Sequence, residues 1–263
     1  MYAFEYQRAK SVADAAAALS KSSGKALAGG QSLVGAMKLR LANPGTVVDL
    51  SGIPELKGIK KDGEAIVIGA LSTHAEVASS SVVKQAIPAL AALAEGIGDR
   101  QVRNRGTLGG SLANNDPAAD YPAAVLALGA TVNTNKRKIA ADEFFKGMYE
   151  TALGPDEIIT AVSFPVPKKA AYVKFPQPAS RFALVGVFVA QTGGGVRVAV
   201  TGAASHVHRA KAIEDALAKS FTADAAKAVK IPAAQLNSDL HGSAEYRAHL
   251  VSVLAGRAVA AMR

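Results

Sequence analysis

The stretch Arg103-Asn104-Arg105-Gly106-Thr107-Leu108-Gly109-Gly110-Ser111-Leu112-Ala113-Asn114-Asn115-Asp116-Pro117-Ala118-Ala119-Asp120 constrains the fold most. It interrupts two long alanine- and leucine-rich segments with a polar, glycine-rich passage. Gly106, Gly109 and Gly110 lack a Cβ, so the backbone there can turn sharply or lie against something bulky. Thr107 and Ser111 add hydroxyls, two arginines precede the glycines, and Asp116 and Asp120 close the stretch. Two readings stand open: a cradle for a phosphate-bearing ligand, or a tight turn in which Asp116 caps a helix that opens on Pro117.

A second glycine turn lies near the start of the chain. Residues 25–28 read as a buried strand, Gly29-Gly30-Gln31-Ser32-Leu33 follow, and residues 34–41 carry a helical pattern. Strand, glycine turn and helix in that order is where backbone amides meet an anion. The alternative is a close joint between two elements. Two such turns would suit an extended, pyrophosphate-bridged cofactor if the fold made them converge. The chain has no G-x-G-x-x-G, no G-x-x-x-x-G-K-[ST] and no G-x-S-x-G, so a Rossmann site, a P-loop and a nucleophile elbow have no support.

The remaining pattern reads as mixed helix and sheet. Strands are expected at 4–9, 46–50 and 157–165, with hairpins at 58–69 (around Asp62-Gly63) and 130–140. Helices are expected at 13–19, from the Thr73/Glu76 capping box onward, at 89–95 after Pro88, and in an alanine-rich run ending near Gly129. The passage 165–169, Pro-Val-Pro-Lys-Lys, marks a composition shift and the main boundary. Beyond it, strands at 171–175, 182–190 and 196–202 precede helices at 211–219 and 243–262. Strands with helices on one side make an α+β layer.

Composition removes several function classes. None of the 263 residues is cysteine, so this chain can hold no disulfide, thiolate zinc site, cysteine nucleophile or iron–sulfur cluster. The net charge of +9 is spread over single residues and short groups, with no basic stripe carrying aromatics, so no nucleic acid is expected as a partner. No apolar run is long enough for a membrane span and no secretory leader is visible, so a soluble cytoplasmic protein is expected. His206 and His208 could share a strand face, but no carboxylate completes a metal site. His74, His241 and His249 read as isolated structural or surface groups.

The pair Ala28-Gly29-Gly30-Gln31-Ser32-Leu33 and Thr107-Leu108-Gly109-Gly110-Ser111, followed by Asp116-Pro117-Ala118-Ala119-Asp120, resembles the paired signatures of the FAD-binding medium subunit of molybdenum hydroxylases. This is the family of the carbon monoxide dehydrogenase medium subunit and the xanthine dehydrogenase flavin domain. Val48-Asp49-Leu50-Ser51-Gly52-Ile53-Pro54-Glu55-Leu56 and Gly69-Ala70-Leu71-Ser72-Thr73-His74 match its linking segments. The resemblance covers nearly the whole chain.

It implies a two-subdomain FAD-binding fold of the vanillyl-alcohol oxidase-like type over residues 1–167, with subdomains of about 1–55 and 56–167. A small C-terminal α+β domain, 168–263, would follow. Both signatures would wrap the FAD pyrophosphate through backbone amides and hydroxyls. Asp120 matches a family carboxylate that contacts the cofactor, against the alternative of a plain helix cap. Ile97 falls where a relative has an aromatic near the flavin. Ile159 and Lys174 match further contacts, against the alternatives of ordinary core and ordinary surface lysine. The implied role is electron transfer: FAD here takes electrons from [2Fe–2S] clusters of a small partner subunit and passes them to a final acceptor. A large partner subunit would carry the molybdenum cofactor, in a dimer of heterotrimers. The missing cysteines agree, and they set the chain apart from the benzoyl-CoA reductase-like branch, whose medium subunit carries an extra cluster. No residue has an evident acid–base role. The competing reading is a free-standing FAD-dependent oxidoreductase with its own small-molecule substrate.

Overall fold

In the computed structural model, which describes every residue except Ser23 and Arg263, the chain starts with a small parallel sheet. Its elements are β1 (Glu5–Arg8), α1 (Val12–Ser22), β2 (Lys25–Leu27), α2 (Leu33–Lys38) and β3 (Thr46–Asp49). The strand order is β1-β3-β2, with both neighbours parallel to a fully buried β3. Parallel neighbours need a crossover, and each helix supplies one. Ala15, Ala18 and Leu19 of α1 pack with Val48, Leu50 and Ile53. The expected buried strand at 25–28 is corrected: β2 is an edge strand, and Lys25 and Ala26 are exposed. Helix α2 is also shorter than expected. It stops at Lys38, where Arg40 N–H donates to Met37 O (3.1 Å) and Leu41 N–H to Ala36 O (2.8 Å). Arg40 sits at φ +59°. These two bonds form the Schellman closure, with arginine in the left-handed position where glycine is usual.

A 3₁₀ turn at Pro54–Leu56 leads into β4 (Ile59–Asp62) and β5 (Ala65–Gly69). Six short helices follow: α3 (His74–Ser79), α4 (Ser81–Ala86), α5 (Pro88–Glu95), α6 (Arg100–Arg103), α7 (Leu108–Asn114) and α8 (Tyr121–Ala127). Then come β6 (Thr131–Thr134), β7 (Lys138–Ala140), α9 (Ala141–Phe144), the pair β8 (Phe145–Gly147) and β9 (Glu150–Thr151), and β10 (Ile159–Pro165). The sheet order is β4-β5-β10-β6-β7. The Thr73/Glu76 capping box forms as expected, and Pro88 opens α5. The helix expected to open on Pro117 opens instead at Tyr121. Asp116 Oδ1 accepts the Ala118 amide at 2.9 Å, a local turn that competes with helix capping. The middle of the glycine-rich stretch is itself helical, as α7.

The last third forms β11 (Lys169–Pro176), β12 (Ala183–Thr192), β13 (Gly195–Thr201), β14 (His208–Arg209), α10 (Lys211–Lys219), α11 (Ala223–Lys227) and α12 (Ala244–Ala261). Helix α11 was not expected. The antiparallel sheet runs β11-β12-β13-β14. Both its faces are covered. Phe188, Ala190 and Ala199 join the core that contains α5 and α8, while Val187, Val189, Val198 and Val200 meet Ile213, Val251 and Leu254 of α10 and α12. A strand buried on both sides reads as an unbroken apolar run, as 183–190 does. His206 lies outside β14, so the two imidazoles do not share a strand face. Among the described residues no group of three or more His, Cys, Asp or Glu could hold a metal. Among them, too, no helix is long and apolar enough to cross a membrane.

Polar ties fix this sheet to the preceding elements. Arg197 donates to Leu126 O (3.1 and 2.8 Å) and to both carboxylate oxygens of Asp142 (2.8 Å). The one Thr201 hydroxyl proton lies between Ala119 O (2.7 Å) and Pro117 O (3.0 Å), and Gly202 N–H donates to Pro117 O (2.8 Å). The end of the glycine-rich stretch is thus held by β13, 80 or so positions away.

Candidate functional site

The two glycine turns meet. A Cβ on Gly29 would overlap the carbonyl of Arg105 and lie 2.9 Å from Gly106 Cα. Only glycine allows that approach of two backbones. Across the same contact, a Cβ on Gly110 would sit 3.7 Å from the Ala28 side chain. Residues 28–33 and 105–111, distant in sequence, therefore form one surface.

The turns contribute differently. In the first, the amides of Gly29, Gly30, Gln31, Ser32 and Leu33 have no acceptor among the described residues. In the second, the Thr107 amide has no acceptor among the described residues, but the next four are used. Leu108 donates to Ser72 O (3.0 Å), Gly109 to Ala70 O (2.8 Å), Gly110 to Thr107 Oγ1 (3.1 Å) and Ser111 to Thr107 O (3.0 Å). The second turn thus has the Thr107 amide left to offer, where the first has those of residues 29–33. The second turn offers its hydroxyls: Thr107 Oγ1 accepts from Gly110 and keeps its own proton to donate, and Ser111 is half-buried beside it. Gly109 has a packing role, since a Cβ there would lie 2.6 Å from Ala70 Cβ.

Asp120, Lys174 and Ile97 form a second cluster. Asp120 is 4% exposed. It stands at the N-cap position of α8, but its side chain caps nothing. Its Oδ1 instead accepts from the Tyr172 hydroxyl (2.6 Å) and pairs with Lys174 Nζ (2.9 Å). Lys174 also donates to Gly96 O and Arg181 O, each at 2.9 Å, so all three ammonium protons are placed. Gly96 precedes Ile97, which packs half-buried on the main core. Burial pushes the Asp120 carboxyl up, against the opposing pull of Lys174 and then of Tyr172, and burial likewise raises the Tyr172 phenol. Lys174 is no surface lysine: its side chain is 10% exposed. Tyr172 is not among the residues that the sequence marks for the site. Tyr172 and Lys174 are two residues apart on one strand, hence on one face, which is the signal that could have found it. A Cβ on Gly186, across from Lys174 in the sheet, would collide with the Tyr172 hydroxyl.

Ile159 is buried in the main core at the start of β10. The next residue, Thr160, accepts the Ala70 amide (3.0 Å), so Ile159 lies one strand behind the 107–111 turn.

His74 supports the same turn from beneath. Its amide donates to Gly106 O (2.9 Å), and its ring centroid is 5.3 Å from that of Tyr121. His74 Nδ1 and the Tyr121 hydroxyl are both buried without a partner among the described residues. Burial first, and the Arg103 charge second, hold the imidazole down at about 4. The folded value lies below the ordinary one, so the unfolded chain binds the proton first as pH falls. Stability is then complete above about pH 6.5 and is lost toward pH 4. We expect this group to cost about 2 kcal/mol between pH 7 and pH 5. Urea unfolding at both pH values, compared with His74→Gln, checks it; an unchanged slope in the variant would remove the assignment.

These residues fit FAD. Free amides in 29–33 and the hydroxyls of Thr107 and Ser111 are donors for an anionic pyrophosphate, and the paired glycines leave no side chain between them and a bound group. No side chain at either turn has the arrangement of a nucleophile with its base.

Comparison with known proteins gives the family. Residues 2–167 match the model of the FAD binding domain in molybdopterin dehydrogenase, and residues 170–262 that of the CO dehydrogenase flavoprotein C-terminal domain. The nicotine 6-hydroxylase medium subunit of Paenarthrobacter nicotinovorans is 38% identical over 98% of this chain and 96% of its own length. The carbon monoxide dehydrogenase medium chain of Hydrogenophaga pseudoflava is 36% identical over 97% and 96%. Among solved structures, carbon monoxide dehydrogenase from Hydrogenophaga pseudoflava, in a form lacking the Mo-pyranopterin moiety, superposes with a TM-score of 0.90. It is 38% identical over 99% of this chain and 97% of that one. Quinoline 2-oxidoreductase from Pseudomonas putida 86 gives 0.88 at 30% identity, over 98% and 96%.

Proposed function

The chain belongs to the family of FAD-binding subunits of molybdenum hydroxylases, and from that premise we propose how its residues serve the family's electron transfer. It is the flavoprotein subunit of a multi-subunit oxidoreductase. The convergence of Gly29 on the Arg105–Gly106 backbone is the observation that carries the site. Residues 28–33 give amides to the FAD pyrophosphate, and Thr107 and Ser111 add hydroxyl donors from the opposite side. Ile97, Asp120 and Lys174 line the cofactor from the second cluster, with Tyr172 orienting the Asp120 carboxylate, and Ile159 closes the site from the core. FAD, when bound, supplies the redox chemistry, taking electrons from a partner's [2Fe–2S] clusters and releasing them to a final acceptor.

In this reading the FAD-binding domain spans 1–167, with vanillyl-alcohol oxidase-like subdomains of about 1–55 and 56–167, and the C-terminal domain spans 168–263. A small iron–sulfur subunit and a large molybdenum subunit complete a cytoplasmic dimer of heterotrimers. Co-expression with those subunits tests it: about one FAD per chain is expected by absorbance and extraction. A complex, or an isolated chain, that neither carries nor takes up FAD would overturn the reading.

A further inference from the structure

Among the described residues, the buried side-chain polar atoms without a hydrogen-bond partner gather at one place. They are His74 Nδ1, Asn115 Oδ1 and the Tyr121 hydroxyl, and all belong to the second glycine turn or its flanks. His74 donates its amide to Gly106 O, Asn115 caps the C-terminus of α7, and Tyr121 opens α8. A buried polar group without a hydrogen bond keeps its full desolvation cost, so such atoms call for a partner. Asn115 is already tied through Nδ2, which donates to Gly147 O and Glu150 O, each at 2.8 Å. His74 and Tyr121 differ, because their orphan atoms belong to neighbouring rings. The centroids are 5.3 Å apart and the planes are tilted by 51°, which leaves a wedge between the rings. His74 is 5% exposed and Tyr121 is 0% exposed, so bulk solvent does not serve them.

Neither side chain is free to turn elsewhere. A β-bridge between Thr73 and Thr107 holds the His74 backbone to the turn. On the ring's other side, a Cβ on Gly106 would stand 2.5 Å from His74 Nε2. Tyr121 is embedded in the main core. Chemistry then selects the ligand. Burial first, and the Arg103 charge second, keep the imidazole neutral at pH 7, and burial pushes the Tyr121 phenol up, so it keeps its proton. An ion bound there would be buried without a counter-charge. A small neutral molecule that both donates and accepts serves the hydroxyl and either imidazole tautomer. Water has that chemistry, and a buried water is held by two to four polar groups.

We propose that His74 and Tyr121 bind one buried water between them, and that this bridge makes both of them positioning residues for the turn that meets Gly29. Gly106 is the link. The imidazole lies where a Gly106 Cβ would be, and Gly106 Cα is 2.9 Å from where a Gly29 Cβ would be. A ring fixed by the bridge fixes the Arg105–Gly106 backbone, and with it the separation of Thr107 and Ser111 from the amides of 29–33. The bridge stands by itself; its effect on the cofactor rests on the FAD reading above.

Tyr121→Phe tests it, since the change removes the hydroxyl and keeps the ring. The full chain is measured without and with FAD. A hydroxyl that had no partner would be lost at no cost or with a gain. Loss of a bridged one should lower the thermal midpoint of the FAD-free chain by about 2–4 °C. The nitrogen NMR resonance of His74 Nδ1 should shift in the same variant, and FAD affinity should fall roughly threefold to tenfold. A crystal structure of the wild-type chain should show a water within hydrogen-bond distance of both atoms. An unchanged or higher midpoint, an unmoved resonance, or a direct bond between the hydroxyl and Nδ1 would overturn the bridge. Unchanged FAD affinity in the variant, with midpoint and resonance both moved, would overturn the positioning role. A wild-type chain that takes up no FAD would overturn the cofactor reading, while the FAD-free measurements would still report on the bridge.

Discussion

Gly29→Val is expected to yield a folded chain that purifies without FAD. The new side chain would meet the Arg105 carbonyl and Gly106 Cα, which are backbone atoms and cannot rotate aside. The 28–33 turn must then move away from the 105–111 turn, and the phosphate donors separate. Overpacking of this kind costs about 1–3 kcal/mol, and the upper value corresponds to roughly 100-fold in affinity. The turn is half-exposed, so the displacement stays local and the unfolding midpoint should fall little. Gly35→Ala is the control: a Cβ there meets nothing within 4 Å, and alanine is the better helix former by about 1 kcal/mol. Gly109→Val should behave differently from Gly29→Val, losing stability as well as FAD, because its Cβ meets the buried Ala70. FAD titration and thermal unfolding of the three variants separate these outcomes. Retention of FAD by Gly29→Val at wild-type affinity would mean that the convergence of the turns serves only to join two elements.

The second large effect is at Asp120. Asp120→Ala leaves Lys174 buried with two carbonyl partners and no counter-charge. Removing one member of a buried pair costs about 3–5 kcal/mol; the retained carbonyls favour the lower end, about 3 kcal/mol. FAD affinity should fall too, since the displaced Lys174 and Tyr172 border the same cluster. A plain N-cap would cost only about 1 kcal/mol and would not depend on Lys174. The double-mutant cycle of Asp120→Ala with Lys174→Met therefore decides between them: a coupling of roughly 2 kcal/mol is expected for the ion pair. Additive losses in urea unfolding would mean that the Asp120–Lys174 pair is not what makes Asp120 matter to stability.

Much of the local structure was legible because local physics decides it. The Asp62-Gly63 turn, with Gly63 at φ +58°, the capping box at Thr73 and Glu76 and the proline start of α5 each depend on neighbours within a few residues. Errors fell where a second contact competes. Asp116 could cap a helix or close a turn on the Ala118 amide, and the pull of β13 on Pro117 and Ala119 holds the turn. Helix α2 could have run to residue 41; the Schellman bonds of Arg40 and Leu41 end it at Lys38. The burial of β2 could not be read from its composition, since being an edge strand is a property of the sheet.

The sequence by itself settled the family, through two signatures in a fixed order, and it settled that no iron–sulfur cluster can sit in this chain, since a cluster needs cysteine thiolates. Residue types and near spacings carry that information. The tertiary structure alone decided that the Gly29 turn rests on the Arg105–Gly106 backbone, that the amides of Leu108 to Ser111 are spent within the fold while those of 29–33 are free, and that Asp120 reaches across to Tyr172 and Lys174. Each of these depends on atoms that meet across 50 or more positions of chain; for Asp120, Tyr172 and Lys174, packing of the β11–β14 sheet against α5 and α8 brings them together.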